Sequence, residues 1–247
     1  MKAIFLDFDG VLFDTVAEAY VIAMCAWGKP VDIKSAKWDR RHYEMFCNFR
    51  CKVTCARSYY YLLRALDTEF EDRSKIAAIY NELKHATPLD SVLQFEKQFA
   101  LERRKLRESS FSDWICLHRP YEFSSMILPD LERSRQSFFI ISTKEEDVIS
   151  QILKYYHVPF EEDQILGRRS FIATRSKAIV IKNVQNIYGV EKYIYIDDSQ
   201  EHLDMCRRIA GGTFILAGWG YTESGNGSSA QEVVELMKEF LIRKGPK

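Results

Sequence analysis

Six cysteines in 247 residues are too few and too scattered for a disulfide scaffold. Six prolines and eleven glycines exclude collagen-like and low-complexity classes. Excess charge is also missing: 35 Lys and Arg face 35 Asp and Glu, a formal net charge of +0. A dedicated nucleic-acid binder usually carries a basic surplus, so no such partner is expected, although a local basic patch remains allowed. No uncharged apolar run reaches about 18 residues, so no membrane-spanning helix is expected. Met1 to Val11 lacks the long apolar stretch and small-residue cleavage site of a signal peptide. A reduced, cytoplasmic setting without a membrane partner is the expectation. What the chain does have is 47% hydrophobic and 28% charged residues, enough for a core in one large domain or two modest ones.

Short continuous apolar runs stand at Lys2 to Phe8, Ser137 to Ser142, Tyr193 to Asp197 and Thr213 to Ala217, with a weaker one at Gln164 to Gly167. Unbroken runs fit strands covered on both faces, as in parallel sheets. Helical patterns follow them. Thr143 and Glu146 have the spacing of a capping box before a helix to Tyr156, as do Ser229 and Glu232 before Val233 to Ile242. Ser176 to Tyr188 stops at Gly189, and Glu201 to Ala210 stops at Gly211 and Gly212. Alternating strands and helices predict an α/β fold, a Rossmann-like parallel sheet with right-handed crossovers.

Between the first two strands lies a segment of more than 100 residues with almost no Gly or Pro and no convincing strand. Val16 to Trp27, Tyr43 to Leu66, Ser74 to Lys84 and Ser91 to Leu106 have helical patterns. The expected organisation is an α/β core from residues 1–14 and 120–247 with an inserted all-helical domain from 15–119. Gly218 to Ser229 is the clearest candidate for a flexible loop.

The acidic residues fall at telling places. Asp7 and Asp9 end the first strand, and Asp197 and Asp198 end another. Ligands of open parallel sheets bind beyond those carboxyl ends. Like charges about 4 Å apart repel by about 4 kcal/mol at an effective dielectric near 20, so a positive group must offset them. A hard divalent cation is the natural candidate, and Mg²⁺ suits a site that also holds phosphate. Ser142 and Thr143, at a strand end and helix start, offer hydroxyls and free N–H groups to an anion. Lys177, about 20 residues before Asp197, offers an ammonium that can reach a carboxylate and a phosphate oxygen.

This constellation resembles the haloacid dehalogenase superfamily. Asp7-Phe-Asp-Gly-Val-Leu-Phe-Asp-Thr15 is similar to its first motif, Ile140-Ile-Ser-Thr-Lys144 to the second, Lys177 to the third and Ile196-Asp-Asp-Ser199 to the fourth. The four stand in the family's order and span the core. The helical insert has the position of the cap in the phosphoglycolate phosphatase and β-phosphoglucomutase branch. There are departures: Ser142 where Thr is commoner, no Lys-Pro pair at the third motif, Asp-Asp where Gly-Asp is common, and His202, beside Glu201, where a further acid often lies.

The resemblance implies roles. Asp7 would be the nucleophile that becomes an aspartyl phosphate, and Asp9 would protonate the leaving oxygen and then activate water. Asp7, Asp9 and Asp198 would hold Mg²⁺, with Asp197 as a ligand or its support. Gly10, Ser142, Thr143 and Lys177 would bind the phosphoryl group. Asp9 favours phosphate esters over carbon–halogen bonds, because halide leaves without a proton. The implied activity is hydrolysis of a small phosphorylated metabolite. The alternatives are a phosphomutase using the same nucleophile and a catalytically weak binding or assembly subunit.

Other features have plainer readings. Cys47, Cys51 and Cys55 stand at i, i+4, i+8, a helical stripe better suited to a core than to zinc. Tyr59 to Tyr61 is expected to pack between the insert and its neighbour. Of the insert's arginines, which include Arg40 and Arg41, Arg50 and Arg57 lie seven apart and are expected to share a helix face that can read an anionic substrate.

Overall fold

The computed structural model describes residues 1–34, 38–174, 176–223 and 226–242. It divides into two compact units, one of residues 1–14 and 119–247 and the other of residues 15–118.

The first unit is built on five parallel strands. They are β1 (Lys2–Leu6), β4 (Phe138–Ile141), β5 (Ile165–Leu166), β6 (Lys192–Asp197) and β7 (Gly212–Leu216), in the order β5-β4-β1-β6-β7. β1 is central, with Ile4 opposite Phe138 on one side and Ile194 on the other. β1, β4 and β6 are buried on both faces almost throughout, which is why they are apolar without alternation. Two-residue strands β2 (Phe13–Asp14) and β3 (Arg119–Pro120) pair antiparallel, tying together the points where the chain leaves and re-enters this unit.

Side chains two apart on a strand share a face. On one face Ala3, Phe5, Phe139, Ile141, Tyr193 and Tyr195 pack with Val180, Ile181 and Val184 of a helix and with Leu203 and Cys206 of the next. The helices of the unit are α7 (Glu122–Arg133), α8 (Glu146–Tyr155), α9 (Arg168–Thr174), α10 (Lys177–Tyr188), α11 (Gln200–Cys206) and α12 (Ala230–Ile242). α10 has Ser176 as its N-cap and Gly189, in the left-handed conformation, after its last turn. Ser229 and Glu232 form the expected reciprocal cap before α12.

The second unit holds α1 (Val16–Ala26), α2 (Arg40–Asn48), α3 (Ser58–Thr68), α4 (Arg73–Ala86), α5 (Leu89–Ser109) and α6 (Phe111–Ile115). Its core is aromatic: Tyr59 stacks between Phe46 and Phe99 at 5.3 and 5.5 Å. Within it, Glu18 and Arg103 form a buried two-pronged ion pair at 2.5 and 3.2 Å.

Several expectations change. The helix expected from Tyr43 to Leu66 is broken into α2, a 3-10 turn at Arg50–Lys52, and α3. Val53 and Thr54 are poor helix formers, and the bend buries Val53 while Tyr80 Oη donates to the Lys52 carbonyl at 2.7 Å. Cys47, Cys51 and Cys55 therefore form no stripe and are only half-buried. Tyr59, Tyr60 and Tyr61 each find ring partners inside their own unit. The Gly218 to Ser229 segment is pinned where it is described: Trp219 Nε1 donates to the Val11 carbonyl at 3.0 Å and the ring packs on Phe123 at 4.6 Å. Ser224 and Gly225 lie outside the described residues. No described helix is long and apolar enough to cross a membrane.

Candidate active site

The sheet's own periodicity assembles the centre of the site. Ala3, Phe5 and Asp7 follow one another on one face, as do Tyr193, Tyr195 and Asp197. Asp7 continues the β1 ladder by one bond, its N–H donating to the Ile196 carbonyl at 2.9 Å. α10 packs on this same face, and its first residue is Lys177. The ammonium therefore arrives between the two carboxylates, 2.9 Å from Asp7 Oδ2 and 2.8 Å from Asp197 Oδ2. Lys177 and Asp197 are fully buried and Asp7 nearly so.

Asp197 is held from every side. Its Oδ2 takes Lys177 and the Tyr195 hydroxyl, while its Oδ1 accepts from the Ser199 N–H at 2.8 Å and lies 3.3 Å from His202 Nδ1. Burial works to raise its pKa, but Lys177 and then His202 outweigh it and hold the carboxyl far below the usual range. Burial works to lower the Lys177 pKa, yet Asp197 and Asp7 together push it up. For Asp7 burial wins: its carboxyl is raised, with Lys177 pulling the other way and Asp197 adding to the rise. Burial, then Asp197, also keeps the Tyr195 hydroxyl protonated.

Asp7, Asp197 and His202 offer ligand atoms within 4.8 Å of one another. That triangle already holds the Lys177 ammonium against two of its members, and Asp197 spends both oxygens on four partners. Of the two duties the resemblance implies for Asp197, metal ligand or support for one, these contacts match the second, with His202 among its partners.

The neighbouring Asp198 turns toward the loop after β1. Gly10 has φ +87°, and a Cβ there would sit 2.2 Å from Asp198 Oδ2. The close approach thus requires glycine on both conformational and steric grounds. Asp198 Oδ2 also accepts from the Tyr221 N–H at 3.1 Å, and the Tyr221 hydroxyl donates to Asp14 at 2.8 Å.

Ser142 follows β4 and is buried, its N–H donating to the Leu166 carbonyl at 3.0 Å. Thr143 follows it, half-buried. The capping box expected of Thr143 and Glu146 does not form. α8 begins at Glu146 with Glu145 in the cap position, and the Glu146 carboxylate instead accepts from the Arg169 N–H at 3.0 Å. The bend at Thr143 and Lys144, ahead of the helix, lets Lys144 turn inward. Its side chain is buried, and its Nζ lies 2.9 Å from Asp9 Oδ1. Sequence reasoning included Lys144 in the second motif but gave it no role, because a cap at Thr143 would put Lys144 inside the helix. Tyr195 was missed, although its i−2 relation to Asp197 on β6 is a signal that could have found it.

Arg50 and Arg57 do not share a helix face, because the chain between them is not helical. Arg50 Nη1 donates to the Val53 carbonyl at 2.8 Å, and Arg57 Nε lies 2.6 Å from Glu96 Oε2. Exposed Arg40 and Arg41 pair with Glu44 and Glu71. Glu201, in the first turn of α11, is exposed.

No protein-family model matches this chain, and no curated protein does. Solved structures do. A haloacid dehalogenase-like hydrolase from Streptococcus pneumoniae is similar at a TM-score of 0.54 and 17% identity, covering 95% of this chain and 97% of its own. A protein described as a phosphoglycolate phosphatase from Lactobacillus delbrueckii subsp. bulgaricus is similar at 0.62 and 13%, with the same coverage of 95% and 97%. Protein tyrosine kinase A of Mycobacterium tuberculosis is similar at 0.57 and 14%, covering 96% and 97%. The chain therefore has the haloacid dehalogenase-like hydrolase fold. One of the three carries a kinase's name, so the fold by itself does not set the reaction.

Proposed function

We propose that this chain is a Mg²⁺-dependent phosphatase that hydrolyses small phosphate monoesters through phosphoryl transfer to Asp7. The observation that carries the reading is Lys177 bridging Asp7 and Asp197 at 2.9 and 2.8 Å, at the carboxyl ends of adjacent parallel strands.

The donor set suits a hard dication. With Asp9 protonated for its role as donor, Asp7, Asp197 and Asp198 bring three negative charges and Lys144 and Lys177 two positive ones, leaving net negative charge for the ion to balance. Oxygen donors without thiolate or an engaged imidazole fit Mg²⁺. Asp7, the Asp9 carbonyl and Asp198 would hold it. When bound, it would neutralise phosphoryl oxygens and orient them for in-line attack.

In this reading an Asp7 carboxylate oxygen forms a bond to phosphorus as the bond from phosphorus to the ester oxygen breaks. Asp9 gives its proton to that leaving oxygen. Asp9 then takes a proton from water, whose oxygen attacks phosphorus, and the Asp7–phosphorus bond breaks to release inorganic phosphate. Lys177 offsets negative charge on Asp7 and the transferring group throughout. Ser142 and the backbone around Gly10 would hold phosphoryl oxygens. Asp197, braced by four partners, keeps Lys177 in place.

Asp7→Asn should abolish release of phosphate from p-nitrophenyl phosphate while the circular dichroism spectrum is retained. Chelator should silence the wild type and Mg²⁺ restore it. Full turnover by Asp7→Asn would reject the nucleophile, and full turnover in excess EDTA would reject the metal. A mutase would instead convert a sugar phosphate to its isomer, without stoichiometric phosphate release.

A further inference from the structure

The reaction proposed above uses Asp9 as a proton donor and acceptor, and a carboxyl can do that only if its oxygens stay aimed at the ester. Asp9 lies beyond the end of β1, in the tight loop where Gly10 N–H donates to the Phe13 carbonyl at 2.8 Å. Nothing in strand geometry aims its side chain there.

Lys144 comes from the opposite wall of the site and is itself restrained at its backbone and its tip. Its carbonyl accepts from the Arg168 N–H at 2.8 Å, its N–H donates to Ser142 Oγ at 3.3 Å, and its ammonium lies 6.0 Å from the centre of the Phe8 ring. Gly167 makes room for this path, since a Cβ there would stand 2.5 Å from the Lys144 carbonyl oxygen. A residue fixed at its backbone and at its tip has few other conformations open to it. Its buried ammonium, 2.9 Å from Asp9 Oδ1, ties one oxygen of that carboxylate to the end of β4.

We infer that Lys144 is a positioning residue that aims the Asp9 carboxyl at the ester oxygen, so its worth to catalysis grows with the leaving group's need for a proton. This rests on the phosphatase reading. It goes beyond that reading by naming a residue whose loss changes which esters are cleaved. Nitrophenolate departs with little help from a proton, whereas a simple alkoxide does not. An enzyme without Lys144 should keep more of its turnover on aryl phosphates than on alkyl phosphates.

The test compares kcat/KM, which reports transfer to Asp7 and not the hydrolysis step common to all esters, for p-nitrophenyl phosphate and for an alkyl phosphate such as glycerol phosphate, in wild type and Lys144→Met. General acid catalysis contributes about 100-fold or more, so the alkyl-to-aryl ratio of kcat/KM should fall about 100-fold. The same substitution made on an Asp9→Asn background should leave the ratio where Asp9→Asn alone puts it. Equal loss on both esters or a further fall on the Asp9→Asn background would overturn the inference. Should Lys144→Met not fold, Lys144→Gln is judged by the same ratio, a fall supporting the inference and an unchanged ratio overturning it. The phosphatase reading fails separately, through retained turnover of both esters by Asp7→Asn.

Discussion

Replacing Lys177 with methionine removes the one cation shared by two buried carboxylates and leaves the side chain's volume nearly unchanged. The ammonium is 1% exposed, Asp197 0% and Asp7 8%, so water cannot take its place. Contacts of 2.8 and 2.9 Å each carry about 6 kcal/mol of gross attraction at an effective dielectric near 20. Much of that is spent on desolvating the charges. Removing one partner of such a pair costs about 3–5 kcal/mol net, a large fraction of the roughly 5–15 kcal/mol that holds a domain folded.

The sign with pH follows from the direction of each shift. In the wild type the Asp197 carboxyl is held low, overcoming burial, mainly by Lys177. Its contribution is therefore present above the ordinary carboxylate pKa and is lost as pH falls through the folded value. Lys177 itself is raised, so its contribution is complete below the ordinary lysine pKa and lost as pH rises through the folded value. In Lys177→Met, burial acts on Asp197 unopposed by the ammonium, and the variant gains stability when the carboxyls are protonated. Urea unfolding at a series of pH values should show a gap of about 3–5 kcal/mol near neutrality. That gap should narrow as pH falls toward about 4, the usual carboxylate range. A gap below about 1 kcal/mol at neutrality, the worth of an exposed pair, or one that does not change with pH, would refute the reasoning.

Two further perturbations probe other parts of the molecule. Gly10→Ala places a Cβ at φ +87° and 2.2 Å from Asp198 Oδ2, so Asp198 must move; a Mg²⁺ titration of phosphatase activity should show apparent affinity weakened about 10–100-fold, and an unchanged midpoint would detach Asp198 from the metal. Glu18→Gln leaves buried Arg103 without its carboxylate and should cost about 3–5 kcal/mol, while Glu18→Leu with Arg103→Met should recover much of that in the same urea assay. A cost for Glu18→Gln below about 1 kcal/mol would show that the pair does not anchor the helical unit.

What could be read in the sequence follows from the range over which its signals act. Asp7, Asp197 and Lys177 were legible because strand period and helix start are local rules, and here the two rules meet on one face of the sheet. The five core strands were legible from apolar runs, even though β5 has only two residues. Two-residue β2 and β3 are too short for any periodic signal and exist because their residues pair across more than 100 positions of chain. The Arg50 and Arg57 pairing failed for a related reason: their helical spacing holds only if the helix is continuous, and long-range burial of Val53 breaks it. Lys144 failed through a competition between two plausible local patterns. Thr143 and Glu146 satisfy the capping-box spacing, but Glu146 bonds across to Arg169 and the helix starts later.

That late start bears on the chemistry. Parallel strands bring carboxylates together at one end of a sheet, and the resulting repulsion must be met by cations from elsewhere in the chain. Here one lysine comes from a helix start over the sheet face and the other from a loop at the edge of the site. They meet different carboxylates, Asp7 with Asp197 in one case and Asp9 in the other. A lysine that only balanced charge would depress turnover of every ester alike when removed. A lysine that aims a proton donor would depress turnover in proportion to the ester's need for the proton. The fold is common to proteins named for a phosphatase and for a kinase, and neither lysine's role can be taken from it. The dependence on leaving group separates the two roles within one active site.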